Sequence, residues 1–157
     1  MLAAQVRELN ALSQSPSQTT LLLLANTVTN LVLHRKTPTL LVTGNHSLPV
    51  MVVNLLLCRA GISLEQAVNP PWTEDQFTRL GAACRDVAGA PLIVVPSLPP
   101  AAFKNTLIAV ASTYRRTWVV MDTATQPLAC LKEISSQFRV PITIISSAGG
   151  QKPPSCQ

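Results

Sequence analysis

Four short apolar runs, separated by segments long enough to form helices, constrain the fold of this chain more than any other feature. The runs are Thr37–Thr43, Leu92–Val95, Thr117–Met121 and Val140–Ile145, and all are rich in β-branched residues. Each is too short for a helix and is continuous rather than alternating, as expected of strands covered on both faces. The pattern predicts an α/β fold with a mostly parallel central sheet and helices on both faces.

Five further segments are predicted to be helices: Thr20–His34, Leu48–Ala60, Thr73–Val87, Ala101–Tyr114 and Gln126–Phe138. Gly61 follows the second of them and is predicted to end it in the left-handed conformation. Thr73 supplies a hydroxyl at the start of the third, and Gln76 stands at the capping-box position. The predicted helices thus lie before and between the four predicted strands.

The length of 157 residues corresponds to one domain. We predict a single domain over residues 1–147 and a disordered tail over residues 148–157, because the tail has no apolar periodicity. Hydrophobic residues make up 47% of the chain and charged residues only 12%, so the fold must bury much of its apolar surface.

Neither a membrane span nor a metal site is predicted. The most apolar stretch, Leu21–Leu33, is interrupted by polar residues and is shorter than the ~20 residues needed to cross a bilayer. The first residues lack the pattern of a secretory signal, so we expect a cytoplasmic protein without a membrane partner. The cysteines are widely spaced and the two histidines are too few for a zinc cluster, so we expect reduced thiols.

Four segments carry a resemblance to a known family. They are CRAGIS (Cys58–Ser63), WTEDQFTRLGAACRDVAGAPLIVV (Trp72–Val95), TWVVMD (Thr117–Asp122) and LKEISSQFRVPITIISS (Leu131–Ser147). In order and spacing they resemble the ATPase domain of DnaB-type replicative helicases, and TWVVMD is similar to the Walker B strand of that family. The resemblance, which runs from about Ser13 to Ser147, implies a RecA-like three-layer sandwich, truncated before the family's DNA-loop and arginine-finger segments.

The sequence departs from that family at the positions that bind and hydrolyse the nucleotide. A phosphate loop needs glycine for close approach of amides, lysine to neutralise phosphate charge and a hydroxyl for magnesium. In SQSPSQTTL these positions hold Thr19, Thr20 and Leu21. Asn45, in TGNHS, stands where the resemblance implies a glutamate that activates water, and an amide cannot act as a general base. Ser147 replaces a γ-phosphate-sensing glutamine, so the resemblance implies a pseudo-ATPase with no catalytic residue and no cofactor.

The remaining polar candidates each have two interpretations. Thr19 and Thr20 either cap the following helix or, as a degenerate phosphate loop, hold an anion at its N-terminus. Asp122, the Walker B-like residue, is either a relic metal ligand or an aspartate that caps the turn after a buried strand. His46 either forms a small polar site with Asn45 and Asp122 or is an exposed loop histidine.

The net charge of +5 permits an anionic partner. Arg115, Arg116 and Lys104 are the candidate nucleic-acid contacts, with an ordinary solvated surface as the alternative. Aromatic residues make up only 4% of the chain and provide no stacking platform. DNA binding would therefore be salt-sensitive and without sequence preference.

The sequence thus favours a non-catalytic interaction protein in DNA replication or in plasmid or phage maintenance. Its expected partner is a replicative helicase, as the resemblance implies, or a second copy of the chain. A sequence-nonspecific DNA-binding accessory protein is the alternative. A residual nucleotide binder is the weaker alternative.

Overall fold

A parallel sheet lies between two layers of helices in the computed structural model, which describes residues 17–69, 71–114, 116–122 and 128–145. The strands are β1 (Thr39–Thr43), β2 (Leu92–Pro96), β3 (Trp118–Met121) and β4 (Ile142–Ile144). The helices are α1 (Ser17–Thr29), α2 (Leu48–Ala60), α3 (Leu64–Val68), α4 (Glu74–Ala88), α5 (Pro100–Thr113) and α6 (Leu128–Phe138). A π-helical turn, Asn30–His34, extends α1.

The strand order in the described sheet is β2-β1-β3-β4, and every pairing is parallel. Leu40 of β1 lies opposite Ile93 of β2 and Val119 of β3, so β1 has a strand on each side. The chain moves from β1 to β2 in one direction and then crosses back to β3 in the other. Such a reversal leaves a crevice outside the carboxyl ends of the two strands between which it occurs. In this sheet the crevice lies at β1 and β3.

Alternate residues of the central strands face opposite helical layers. Leu41 and Val120 belong to the core under α1 and α2, whereas Leu40 and Val119 belong to the core under α5 and α6. The largest fully buried side chains supplied by the helices of the two layers are Leu21, Leu24, Met51, Leu55, Phe103 and Leu107. The predicted α/β fold with helices on both faces is therefore confirmed, and the layers are consistent with a RecA-like sandwich.

The two predicted helix caps are also confirmed. Gly61 ends α2 in the left-handed conformation, with a φ of 64°. At the start of α4, the N–H of Gln76 donates to Oγ1 of Thr73 at 3.2 Å, and the N–H of Thr73 donates to Oε1 of Gln76 at 2.8 Å. Each side chain thus satisfies a backbone donor that the helix leaves unpaired.

The first helix differs from its prediction in its first residue and in the form of its last turn, while its last residue, His34, is the one predicted. Helix α1 begins at Ser17 rather than Thr20, and its last turn is π-helical, with the N–H of Arg35 donating to the carbonyl of Asn30 at 3.0 Å. Such a turn depends on how the chain enters β1, which apolar periodicity does not encode. Helix α3 has no counterpart in the prediction because so short a helix carries no clear periodicity.

Some predicted features lie outside the described residues. These are the first part of the phosphate-loop stretch, the start of the last predicted helix at Gln126, Ser147 and the tail over residues 148–157. None of the helices in the described ranges is long and apolar enough to span a membrane. The described cysteines, Cys58, Cys84 and Cys130, are free thiols.

Two cationic residues occupy the left-handed region that favours glycine. Lys36 and Arg139 both have a φ of 52°. Each lies between the end of a helix and the next strand, where glycine commonly ends the helix. After α6, the N–H of Val140 donates to the carbonyl of Ser135 at 3.2 Å and closes the turn around Arg139. A non-glycine residue in this conformation costs roughly 1–2 kcal/mol.

Arg139→Gly is expected to raise the free energy of unfolding by about 0.5–1 kcal/mol, because relief of the left-handed conformation exceeds the added freedom of glycine in the unfolded chain. Urea denaturation measures the change. Lys132→Gly is the matched control, since it replaces an exposed cation inside α6, where glycine costs about 1 kcal/mol. Equal destabilisation by both substitutions would contradict the explanation.

Candidate functional site

Asp122 follows β3 directly, at the carboxyl edge of the sheet and beside the end of β1. Its N–H donates to the carbonyl of Val42 at 3.2 Å, and the residue is only 1% exposed. A carboxylate removed from water is costly unless hydrogen-bond donors surround it. The loop that follows β1 supplies those donors.

The loop Gly44–His46 folds its backbone amides around the Asp122 carboxylate. The N–H of Gly44 donates to Oδ1, the N–H of Asn45 lies 3.1 Å from both oxygens, and the N–H of His46 donates to Oδ2 at 3.2 Å. Successive amides arranged in this way form a concavity that binds anions such as phosphate groups. In this protein the concavity is filled by the chain's own carboxylate.

His46 contributes a further donor through its side chain. Its Nδ1 lies 3.1 Å from Oδ2 of Asp122, and the side chain is only 10% exposed. Because a carboxylate can only accept, this contact places a proton on Nδ1. Nδ2 of Asn45 also donates to the carbonyl oxygen of Asp122, at 3.5 Å. The interpretation of His46 as an exposed loop residue is therefore wrong, and the small polar site with Asn45 and Asp122 is present.

The hydrogen bonds leave the Asp122 carboxylate with little capacity for a ligand. A carboxylate has about four lone-pair sites. Here the donors are three backbone amides and one imidazole N–H. A magnesium ion would have to displace one of them in order to coordinate the carboxylate. The geometry favours a residue that caps the turn after a buried strand over a relic metal ligand.

Thr19 and Thr20 lie inside the first turn of α1, not ahead of it, because the helix already begins at Ser17. The side chain of Thr19 is exposed and that of Thr20 is half-buried. Within the described residues, no hydrogen bond joins either side chain to Asp122. The two parts of the predicted degenerate nucleotide site are therefore not joined by a hydrogen bond among the described residues.

The predicted nucleic-acid residues do not form one patch. Lys104 is exposed near the start of α5, on the carboxyl side of the sheet, whereas Arg116 is exposed in the loop that enters β3 at the amino edge. The part of α5 from Lys104 to Thr113 alone spans roughly 14 Å at 1.5 Å per residue. Arg115 lies outside the described residues.

The amino edge holds further cations that the sequence prediction does not include. Arg35 and Lys36 are exposed in the loop that enters β1, and Arg139 is exposed in the loop that enters β4. A groove of about 370 Å³ lies beside Arg35 and Trp118. The signal for this cluster exists in the sequence, because each of these basic residues stands shortly before a predicted strand, but it becomes visible only once the strands are known to be neighbours.

Comparisons with known proteins add no family to these observations. A scan against protein-family models finds no match, and a search of the curated proteins finds no similar sequence. Within the described ranges, no group of three or more His, Cys, Asp or Glu side chains is placed to hold a metal ion.

Asp122→Asn is expected to lower the free energy of unfolding by about 2–3 kcal/mol. The new side-chain NH₂ group would face the backbone N–H groups of the loop Gly44–His46, and two donors cannot form a hydrogen bond. Urea denaturation measures the loss, and hydrogen exchange at Gly44, Asn45 and His46 should become faster. Asp86→Asn is the control: this carboxylate is 41% exposed in a 2.7 Å pair with Arg59, so its loss should cost less than about 1 kcal/mol. Similar small effects of both substitutions would contradict the role given to Asp122.

Cys58 of α2 is hydrogen-bonded to α1, since its Sγ–H donates to Oδ1 of Asn26 at 3.0 Å. Burial raises the pKa of the Cys58 thiol above its ordinary value, and a hydrogen bond with Thr29 lowers this pKa in part. The unfolded chain therefore loses this proton first as the pH rises. The thiol's contribution to stability is complete below the ordinary cysteine pKa of about 8.5 and is lost as the pH rises above it.

We expect the free energy of unfolding to fall more steeply above about pH 8.5 in the wild-type chain than in Cys58→Ala. Urea denaturation at a series of pH values measures the difference between the two slopes. Cys84→Ala, at an exposed position of α4, is the control and should leave the wild-type slope in place. Parallel profiles for the wild type and Cys58→Ala would contradict the expectation.

Proposed function

We propose that this chain is a non-catalytic RecA-like protein that acts by binding a protein partner in DNA replication or in plasmid or phage maintenance. The partner is a DnaB-type replicative helicase or a second copy of the chain. The family and the partner come from the sequence resemblance, and the absence of catalysis is supported by the contacts of one residue.

That residue is Asp122, and its hydrogen bonds are the main support for the proposal. In open α/β sheets, ligands bind outside the carboxyl ends of the strands at the switch point, and loop amides commonly hold their phosphates. At this position the amides of Gly44, Asn45 and His46 bind Asp122 instead. The phosphate-loop stretch also lacks the lysine that neutralises a nucleotide's phosphates. Both features disfavour ATP chemistry.

An exposed apolar pair on α1 supports a protein partner. Leu22 is 54% exposed and Leu23 is 56% exposed, and they are consecutive residues of α1, on the outside of the α1 and α2 layer. Apolar side chains in contact with water gain free energy when a partner covers them. An apolar surface on a helicase subunit or on a second copy has the chemistry to do so.

The nucleotide part of the proposal is tested by thermal unfolding of the full chain with and without ATP and magnesium. A ligand that binds the native state raises Tm by mass action. We expect the same Tm in both conditions and no release of phosphate. A rise in Tm that depends on ATP concentration would instead establish the residual nucleotide binder.

The partner is tested by sedimentation velocity of the chain alone and with the replicative helicase of the same host. We expect a complex in one of the two experiments, and Leu22→Ser with Leu23→Ser should weaken it at least tenfold, about 1.4 kcal/mol. Ile108→Ser is the control, because Ile108 is 43% exposed on α5 in the opposite layer. A chain that stays monomeric and does not bind the helicase contradicts the proposal.

A further inference from the structure

Four exposed cationic side chains surround the amino edge of the sheet. Arg35 and Lys36 lie in the loop that enters β1, Arg116 lies in the loop that enters β3, and Arg139 lies in the loop that enters β4. These strands are neighbours in the order β1-β3-β4. Adjacent strands lie about 4.8 Å apart, so the three loops fall within a band about 10 Å wide. These four residues form the basic edge.

The protein does not neutralise the basic edge within the described ranges. The Arg–carboxylate pairs within the described ranges join Arg59 to Asp86 at 2.7 Å and Arg79 to Asp75 at 2.9 Å, and neither pair includes a residue of the three loops. The described residues of those loops include no aspartate or glutamate. Uncompensated positive charge in a narrow band attracts a polyanion.

Two of the four cations stand where the backbone favours glycine. Lys36 and Arg139 are both left-handed at a φ of 52°. Strained backbone of this kind persists when the surrounding structure holds it, and it concentrates at binding sites. Glycine adopts this backbone conformation without strain, so what a lysine or an arginine adds at these positions is its side chain. The positions therefore point to a use for the side-chain charge.

A groove of about 370 Å³ opens beside the basic edge, between the end of α1 and the start of β3. It is lined by Asn26, Thr27, Asn30, Leu31, Arg35 and Trp118. The indole of Trp118 is held in place because its Nε1–H donates to Oγ1 of Thr143 at 2.9 Å. The groove thus combines a fixed aromatic ring with uncharged hydrogen-bonding side chains, which suits the flat face and polar edges of a nucleobase.

We propose that the amino edge binds single-stranded nucleic acid without sequence preference, with phosphates on the basic edge and a base in the groove beside Trp118. Lysine and arginine contacts to phosphates supply affinity that does not depend on sequence. A base reaches the groove only when it is unstacked, which favours a single strand over a duplex. An acidic peptide or an anionic lipid surface would meet the same charges but has no flat ring for the groove. This proposal does not depend on the protein partner.

The test is fluorescence anisotropy with a labelled oligothymidylate of about 20 nucleotides, at salt concentrations from about 50 to 200 mM. The double substitution Lys36→Gly with Arg139→Gly removes two cations at positions where glycine relieves strain, so the fold is retained. We expect binding at least tenfold weaker than that of the wild type. The plot of log affinity against log salt should also be less steep by about 1.4, which is about 0.7 for each phosphate that is no longer neutralised.

Lys104→Ala with Lys132→Ala is the matched control for net charge. It also removes two exposed cations, but from the first half of α5 and of α6, on the carboxyl side of the sheet. Screening limits the effect of charges so far from the basic edge, so we expect a change of about twofold or less. An equal loss of affinity in the two double variants, or no binding of the oligonucleotide by the wild type at about 50 mM salt, would overturn the proposal.

The groove is tested with Trp72→Phe, which leaves Trp118 as the only tryptophan. We expect oligothymidylate to quench the fluorescence of Trp118 and to bind more tightly than a DNA duplex. Polyglutamate of the same charge and vesicles of phosphatidylserine should neither quench this fluorescence nor compete with the oligonucleotide. Equal binding of polyglutamate, or binding confined to the vesicles, would assign the edge to another partner and overturn the proposal.

Discussion

Leu40, Leu41 and Val42 are buried on alternating faces of the sheet, so β1 has no face that can remain in water. A strand of this kind is stable only when helices cover both sides of the sheet. Parallel pairing then requires a crossover after each strand, through which the chain returns to the amino edge. All carboxyl ends therefore lie at one edge, and all loops that enter strands lie at the other. This separation places the polar site of Asp122 and the basic edge on opposite sides of the molecule.

The carboxyl edge is closed by a contact within the chain. Asp122 and the amides of Gly44–His46 join the ends of β1 and β3, which are the two strands at the switch point. A concavity of amides that serves a nucleotide must stay open until the ligand arrives. Here the anion belongs to the chain, so its local concentration is high and a free phosphate competes poorly. A substitution at Asp122 is therefore expected to change the free energy of unfolding rather than the affinity for a ligand.

The strands and helix caps could be predicted from the sequence because their signals are local. Short β-branched runs mark the strands, Gly61 marks a left-handed helix end, and Thr73 with Gln76 marks a capping box. The contact between His46 and Asp122 could not be predicted in the same way, since it depends on the pairing of β1 with β3. The basic edge likewise depends on strand order. The π-helical turn depends on the path of the chain into β1, and no sequence period identifies it.

Cations near helix ends have a second explanation, which can be weighed against binding. Lys36 and Arg139 follow the carboxyl ends of helical segments, where a positive charge gains about 0.3–1 kcal/mol from the helix dipole. The left-handed conformation of the same residues costs roughly 1–2 kcal/mol, which glycine would avoid. The dipole gain therefore offsets only part of the strain, and the added freedom of glycine in the unfolded chain offsets about 0.5–1 kcal/mol more. A contact outside the chain, at the edge where Arg35 and Arg116 are also exposed, would give the lysine and the arginine a role that neither the dipole nor the backbone supplies.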